Sequence, residues 1–246
     1  MTTPDVARYF AALAATWLPA ETMSLPPFTL RRGGGGGNRV SAATLDGTVD
    51  DLERAVEAAE RAMRAWGQTP LFLVRPGDDA LDDLIARRGY LVRDPVRLLR
   101  ADPATLAPAC PHPEVVLGPA LLAAMAEPWV AGGIGPTRLA IMERVPEPKV
   151  YLIGRSQDRP AGCGFAARHE DIVMLHALEV APFARHRGVG SAITRAAAGW
   201  THEIGAIDFA LAVTESNAPG RALYASLGMA EVARYHYRIA PADAVA

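Results

Sequence analysis

Arg185-His186-Arg187-Gly188-Val189-Gly190 is the stretch on which the reading of this chain turns. It lies between a strand-like run, Ile172 to Val180, and a run of helical periodicity, Val189 to Glu203. In the latter, Ile193, Ala196, Ala197, Trp200 and Ile204 share one face. Glycine at 188 and 190 lets a ligand come close to the main chain. The first turn of a helix offers amides without intrahelical partners, at the positive end of the helix dipole. That combination suits an anion such as a pyrophosphate, and Arg185 and Arg187 can add charge-assisted hydrogen bonds. Taken alone, the stretch serves equally well as a glycine-rich turn carrying solvated arginines.

Residues downstream break the tie. The next strand-like run, Ile207 to Thr214, leads to Asn217 and then to Ala222-Leu223-Tyr224-Ala225-Ser226-Leu227-Gly228-Met229. With these motifs, in this order and at this spacing, residues 115 to 240 resemble the GNAT-type N-acetyltransferases. The acyl-CoA signature of that family is Arg/Gln-x-x-Gly-x-Gly/Ala after the fourth strand, followed by an Asn, a Leu-Tyr and a Gly-Phe. Met229 stands in place of the usual Phe.

The resemblance implies an α/β (α+β) fold with a mixed, mostly antiparallel central sheet flanked by helices. It implies acetyl-CoA as acyl donor, no metal, and a small-molecule or peptide amine as acceptor. Arg185, His186, Arg187, Gly188, Val189 and Gly190 would hold the pyrophosphate. The main chain of Leu178 to Val180 would pair with the pantetheine arm where the fourth and fifth strands splay. Asn217 would hydrogen-bond the cofactor's amides. Tyr224 would protonate the leaving thiolate, a sensible match because a phenol and a thiol have comparable basicity. Its bland alternative is a helix tyrosine packed on the sheet.

The general base is open. The fourth strand offers His176 and Glu179, which alternation along a strand sends to opposite faces. His176 has a suitable ordinary pKa, yet reads equally as a histidine hydrogen-bonded within the sheet. Glu179 reads also as a paired strand carboxylate. Ala212 stands where some relatives carry a base on the fifth strand. Glu143 either recognises a cationic acceptor or belongs to a solvated helix face.

Punctuation divides the chain. Pro103, Pro108, Pro111 and Pro113 mark a linker, 106–114, between a domain at 1–105 and a catalytic domain at 115–246. In the first part a helix is expected over Tyr9 to Trp17. Strands are expected over Phe28 to Arg32 and Arg39 to Thr44, with Gly33 to Gly37 as a mobile hairpin tip. Leu52, Val56, Ala59, Met63 and Trp66 recur at helical spacing. A strand at Leu71 to Val74, a helix at Asp79 to Arg88 ended by Gly89, and a strand at Val92 to Leu99 follow. In the second part a strand over Val115 to Leu117 and helices over Ala120 to Val130 and Thr137 to Arg144 are expected. Strands over Lys149 to Gly154, Gly162 to Arg168 and Ile172 to Val180 come next, and the chain ends on a helix at Ala218 to Ser226 and a strand at Glu231 to Ile239.

The first part echoes the second. Shifted by 139 residues, Phe72–Tyr90 aligns with Leu211–Met229 without a gap, matching Val74 to Val213, Leu84 to Leu223, Ala86 to Ala225 and Gly89 to Gly228. Asp78 meets Asn217, Ile85 meets Tyr224, and Val49 and Asp51 meet Gly188 and Gly190. A carboxylate repels a pyrophosphate and Ile donates no proton. This reads as a tandem chain whose first domain is GNAT-like but has no cofactor site.

Composition narrows the field further. The chain has 246 residues, a net charge of −2 and 50% hydrophobic residues. That balance supplies a packed core but no basic field for nucleic acid or an anionic membrane. No apolar run approaches the roughly 20 residues of a membrane span. The start, Met1-Thr2-Thr3-Pro4-Asp5, has no signal-peptide pattern, so a cytoplasmic protein is expected. Cys110 and Cys163 are too few for a disulfide framework, and neither has a partner motif for covalent catalysis. Lys149 is the one lysine, a bias that suggests a GC-rich bacterial genome. Two other functions compete with the enzyme: a non-catalytic module that binds or senses acyl-CoA, and an unrelated phosphate-binding protein.

Overall fold

The computed structural model describes residues 5–107 and 115–241. In chain order, α1 (Val6–Ala15), β1 (Glu21–Leu25), β2 (Phe28–Arg32), β3 (Thr44–Leu45), α2 (Leu52–Ala65), β4 (Leu71–Val74), α3 (Asp79–Arg87), β5 (Leu91–Ala101) and α4 (Pro103–Leu106) make up the first part. They are followed by β6 (Val115–Gly118), α5 (Ala126–Ala131), α6 (Pro136–Arg144), β7 (Lys149–Ser156), β8 (Arg159–His169), β9 (Ile172–Val180), α7 (Val189–Glu203), β10 (Asp208–Thr214), α8 (Ala218–Ser226) and β11 (Ala230–Ile239). The architecture is mixed α/β, with mostly antiparallel strands flanked by helices.

Two compact units form, and they ignore the expected cuts at 105 and 115. One contains the chain up to Leu18, Leu98–Val213 and Asn217–Val232; the other contains Pro19–Arg97, Thr214–Ser216 and the chain from Ala233. Most of the expected linker, 108–114 with Cys110, lies outside the described residues.

In the first unit the strands lie in the order β11-β5-β10-β9-β8-β7-β6, counting β5 from Leu98 and β11 as far as Val232. The four strands β6 to β9 pair antiparallel with their neighbours, and β10 joins β9 in parallel. Helix α7 lies against β7 and β8, where Gly154, Gly162 and Gly164 make room: a Cβ on any of them would stand 3.0–3.2 Å from Val189 or Ile193. Val150, Leu152, Leu175, Ile193, Ala197, Phe209 and Leu211 fill the core there.

Helix α1 belongs to this unit, 160 residues in sequence from the strand it covers. Asp5 caps it, accepting from the Ala7 amide at 3.0 Å. Tyr9, Ala12 and Leu13 are buried. Arg8 pairs with Asp171, Tyr9 hydrogen-bonds Asp208, and Arg100 of β5 stands 2.9 Å from the same Asp208 carboxylate. Lys149 closes the far side, donating from Nζ to the carbonyls of Met142, Glu143 and Val145 at 3.2, 2.8 and 2.7 Å, which caps α6. Its three donors suit three carbonyls, a role the arginine bias did not absorb.

The second unit has a three-stranded antiparallel sheet, β1-β2-β3. Ala43, beside β3, bridges Phe72 of β4 in parallel, and β4 pairs antiparallel with the later residues of β11. Phe28, Leu30, Val56, Met63, Phe72, Leu81 and Ile85 form its core. Asp82 accepts from Arg238 and pairs with His236, and those partners, Arg238 first, hold its carboxyl below the usual range.

Several expectations need correcting. Arg39 to Thr44 is not a strand: a 3-10 turn at Asn38–Val40 precedes the two-residue β3. The glycine run therefore is no hairpin tip, and Gln68 ties it down, its Oε1 accepting from the Gly33 amide at 3.3 Å and its Nε2 donating to the Ser41 carbonyl at 2.7 Å. Strand β1 was not anticipated. The helix expected over Ala120 to Val130 shrinks to α5, because Pro128 has no amide and is tolerated only in a first turn.

The sequence echo has a structural counterpart. Both β1-β2-β3-α2-β4-α3-β5 and β7-β8-β9-α7-β10-α8-β11 show three antiparallel strands, then helix, strand, helix, strand. Helices α3 and α8 end alike: Gly89 and Gly228 take left-handed φ values of 85° and 73°, and the Tyr90 and Met229 amides reach back to the carbonyls of Ile85 and Tyr224 at 3.0 and 3.1 Å.

Buried phenols set an alkaline limit. Desolvation pushes Tyr9 up to about 12 and holds Tyr90, Tyr224 and Tyr237 above the ordinary phenol range. The unfolded chain loses these protons from about pH 10 while the folded one keeps them. Stability is therefore complete below that pH and is lost as pH rises toward the folded values. A urea midpoint that is flat from pH 8 to 9.5 and falls from pH 10 upward is expected; a midpoint still flat at pH 11 would contradict it.

Candidate active site

Strands β9 and β10 pair in parallel from Ile172 and Asp208 to Leu175 and Leu211. Both strands continue, to Val180 and Thr214, but the pairing stops. At that point β9 carries a bulge. Phe165 of β8 faces His176 and Cys163 faces Glu179, so two steps on β8 meet three on β9. Ala177 takes a φ of 51°, uncommon for a residue with a Cβ. The far half of β9 thus stays paired to β8 while its other edge turns away from β10.

The bulge corrects the expectation that His176 and Glu179 face opposite sides. One extra residue resets the alternation, and both side chains lie on the face that carries Cys163 and Phe165. His176 is 4% exposed, stacked on Phe165 and 5.0 Å from the Trp17 ring. Its Nε2 is 2.8 Å from the Thr16 hydroxyl, whose one proton goes to the Ala12 carbonyl at 2.6 Å. The hydroxyl therefore accepts, and Nε2–H donates. His176 sits within an aromatic wall closed by α1.

Glu179 lies against Gly132, where a Cβ would come within 2.3 Å of its Cγ. Its Oε1 accepts from Arg185 Nη2 at 3.3 Å, and Arg185 Nε donates to the Val180 carbonyl at 3.1 Å. Arg185 was expected on a phosphate; here it ties the turn to β9. The pair is half-exposed on the Arg side, so it contributes at most about 1 kcal/mol.

The turn from Pro182 to Gly188 leads into α7. Arg159 stacks 3.6 Å over the Phe183 ring and anchors it. His186 and Gly188 both take left-handed φ values, 59° and 81°, and Gly188 is the N-cap residue without a capping side chain. The first-turn amides of a 15-residue helix thus open on exposed His186 and Arg187. The equivalent helix of the second unit, α2, is closed by its own Asp51, which accepts from the Arg54 amide at 3.0 Å. A Cβ on Gly190 would stand 3.1 Å from Leu223 and 3.5 Å from Val180, so the start of α7, the end of β9 and α8 converge there. Leu178 and Val180 pack on the α7 side of the sheet.

Asn217 caps α8, its Oδ1 accepting from the Gly220 amide at 2.9 Å; among the described residues no partner takes its Nδ2. Tyr224 is buried with Val189, Leu211, Val213 and Met229, and burial alone pushes its phenol well above the usual range. Among the described residues its hydroxyl has no hydrogen-bond partner. Ile85 holds the matching position in the second unit. Glu143 is exposed on α6, which leaves it as part of a solvated face. Cys163 is buried, with its thiol pushed up to about 12 by desolvation. No three His, Cys, Asp or Glu side chains group to hold a metal among the described residues. None of the described helices is long and apolar enough to cross a membrane.

The strand gap, the uncapped α7 and the buried Tyr224 all lie between Leu122 and Met229. Residues 122–229 match the model of the acetyltransferase (GNAT) family. This stretch is a GNAT acetyltransferase domain. Solved structures agree with the fold over more of the chain. A GCN5-related N-acetyltransferase from Kribbella flavida superposes with a TM-score of 0.74 at 18% identity, over 99% of this chain and 97% of that one. One from Sphaerobacter thermophilus gives 0.63 at 15%, over 88% and 81%. A tandem GNAT protein from the clavulanic acid biosynthesis pathway gives 0.57 at 16%, over 99% and 98%. Likeness at these identities speaks for the fold. No curated protein matches the chain in sequence. The GNAT domain's fold is one of acyl transfer in general.

Three contributors were missed in the sequence: Thr16 and Trp17 of the first unit's α1 region, and Trp129. The Ala177 bulge was missed too. No local pattern marks any of them.

Proposed function

We propose that the protein moves an acetyl or other short acyl group from its CoA thioester to a primary amine, by direct attack in a ternary complex. The observation that carries this is the parting of β9 from β10 at the Ala177 bulge, beside an uncapped helix N-terminus. The free edge of Leu178 to Val180 offers main-chain groups to a pantetheine arm. The α7 amides, with Arg187 and His186, suit its pyrophosphate. Holding donor and amine together supplies much of the rate. Tyr224, kept neutral by burial, donates to the departing thiolate. Glu179 is better placed than the enclosed His176 to take the amine's proton. The acceptor is a small-molecule or peptide amine.

The second unit repeats the element order but carries Asp51 and Ile85 where the first carries its uncapped glycine turn and Tyr224. We read it as a degenerate GNAT-like half without a donor site, in a tandem chain. A cytoplasmic, bacterial setting fits both.

The test is calorimetric titration with acetyl-CoA, followed by thiol release with a panel of amines. Saturable binding is expected, weakened at least about tenfold in Gly190→Asp, whose carboxylate meets the pyrophosphate and whose Cβ meets Leu223. Binding without thiol release from any amine would make this a sensor of acyl-CoA. No binding at all would remove the reading.

A further inference from the structure

Trp129 has no assigned role and belongs to the short α5 beside the bulge. Its ring is fully buried and meets Tyr151 edge-on at 6.4 Å. Its indole Nε1–H donates to the Ala177 carbonyl at 2.8 Å. Its own carbonyl accepts from the Ile134 amide at 2.8 Å, which fixes the end of α5. Three residues on, Gly132 takes the Glu179 side chain against it. So α5 and its C-cap residue Gly132 hold β9 at two points: the carbonyl of the bulge residue with left-handed φ, and the side chain two residues later.

A left-handed alanine is strained and persists only where its surroundings hold it. An ordinary strand would instead continue its pairing with β10 past Leu175. The indole N–H takes the carbonyl of Ala177, which the register leaves without a partner on β8, and satisfies it; a phenylalanine, with no N–H, cannot do so. We infer that Trp129 is a positioning residue: its N–H holds the Ala177 bulge and thereby keeps the Leu178–Val180 edge available to the acyl donor. This rests on the proposed reading of the gap as the donor site.

Full-length protein, Trp129→Phe, and Trp129→Phe combined with Ala177→Gly are titrated with acetyl-CoA, and KM and kcat are measured with whichever amine the wild type accepts. Loss of one hydrogen bond that supports the bound geometry weakens acetyl-CoA up to about tenfold in Trp129→Phe, with KM following and kcat changing less. Glycine takes a left-handed φ freely, so Ala177→Gly restores affinity to within about threefold of wild type. A residue that only fills the core would lower thermal stability without either effect. The benzothiophene isostere of tryptophan at position 129 keeps the ring and removes only the N–H; it repeats the loss without a packing change and serves if the phenylalanine variant does not fold. Unchanged acetyl-CoA affinity in the isostere, or no rescue by Ala177→Gly, overturns the inference while the donor site stands. A wild type that fails to bind acetyl-CoA removes the donor site and this inference together.

Discussion

A chain cut to begin at Val115 is expected to be unfolded. The cut follows the expected domain boundary, but the unit with the GNAT domain takes α1 and the end of β5 from the other side of it. Strand β5 lies between β10 and β11, so its removal strips both of a neighbour. Tyr9, Leu13, Trp17, Leu98 and Leu99 are all buried and all lost. At about 1.5–3 kcal/mol for each large apolar side chain, the deficit reaches roughly 10 kcal/mol, the size of a whole domain's stability. Asp208 loses both Tyr9 and Arg100, and His176 loses Thr16. A buried carboxylate stripped of its partners adds several kcal/mol more, at the order of magnitude seen for broken buried pairs. Circular dichroism and amide proton dispersion check this. A cooperative melt within a few degrees of the full chain would show that α1 and β5 are dispensable.

The second large effect concerns chemistry. Tyr224→Phe is expected to lower kcat about 100- to 10,000-fold, the usual range for loss of a general acid. The affinity for acetyl-CoA is expected to stay within about threefold, because the phenol acts on charge that develops only as the thioester breaks. Its hydroxyl has no partner among the described residues, so its removal leaves no group orphaned and thermal stability holds or rises. Kinetics, calorimetry and a thermal melt on one preparation separate these effects. An unchanged kcat would assign the proton to water or to another group.

What was legible in the sequence depended on local periodicity. Strand β9 and helices α7 and α8 end where the pattern placed them, because their signals lie within the segment: alternating or helical apolar spacing, Gly188 before α7, Gly228 after α8. The echo between the halves was legible for the same reason, through Gly89 and Gly228. The β1 strand was not: Thr22-Met23-Ser24-Leu25 does alternate, but with only two apolar positions, Met23 and Leu25, the signal is too short to stand out. The partition into units was not, because proline punctuation reports a break in local structure and says nothing of which sheet a distant helix joins. Alternation put His176 and Glu179 on opposite faces; a single added residue at Ala177 undid it, and no residue type announces that bulge.

By itself the sequence determined the fold class, the place of the glycine turn between β9 and α7, and the place of Tyr224 on α8. These rest on spacing within a few helical turns, where chain connectivity already brings the residues together. The tertiary structure alone decided that α1 closes the wall around His176, that Arg185 is engaged with Glu179 and Val180, and that Trp129 holds the bulge where β9 leaves β10. Each of those depends on a contact between segments distant along the chain or on one irregular residue, and such contacts are set by how the elements pack.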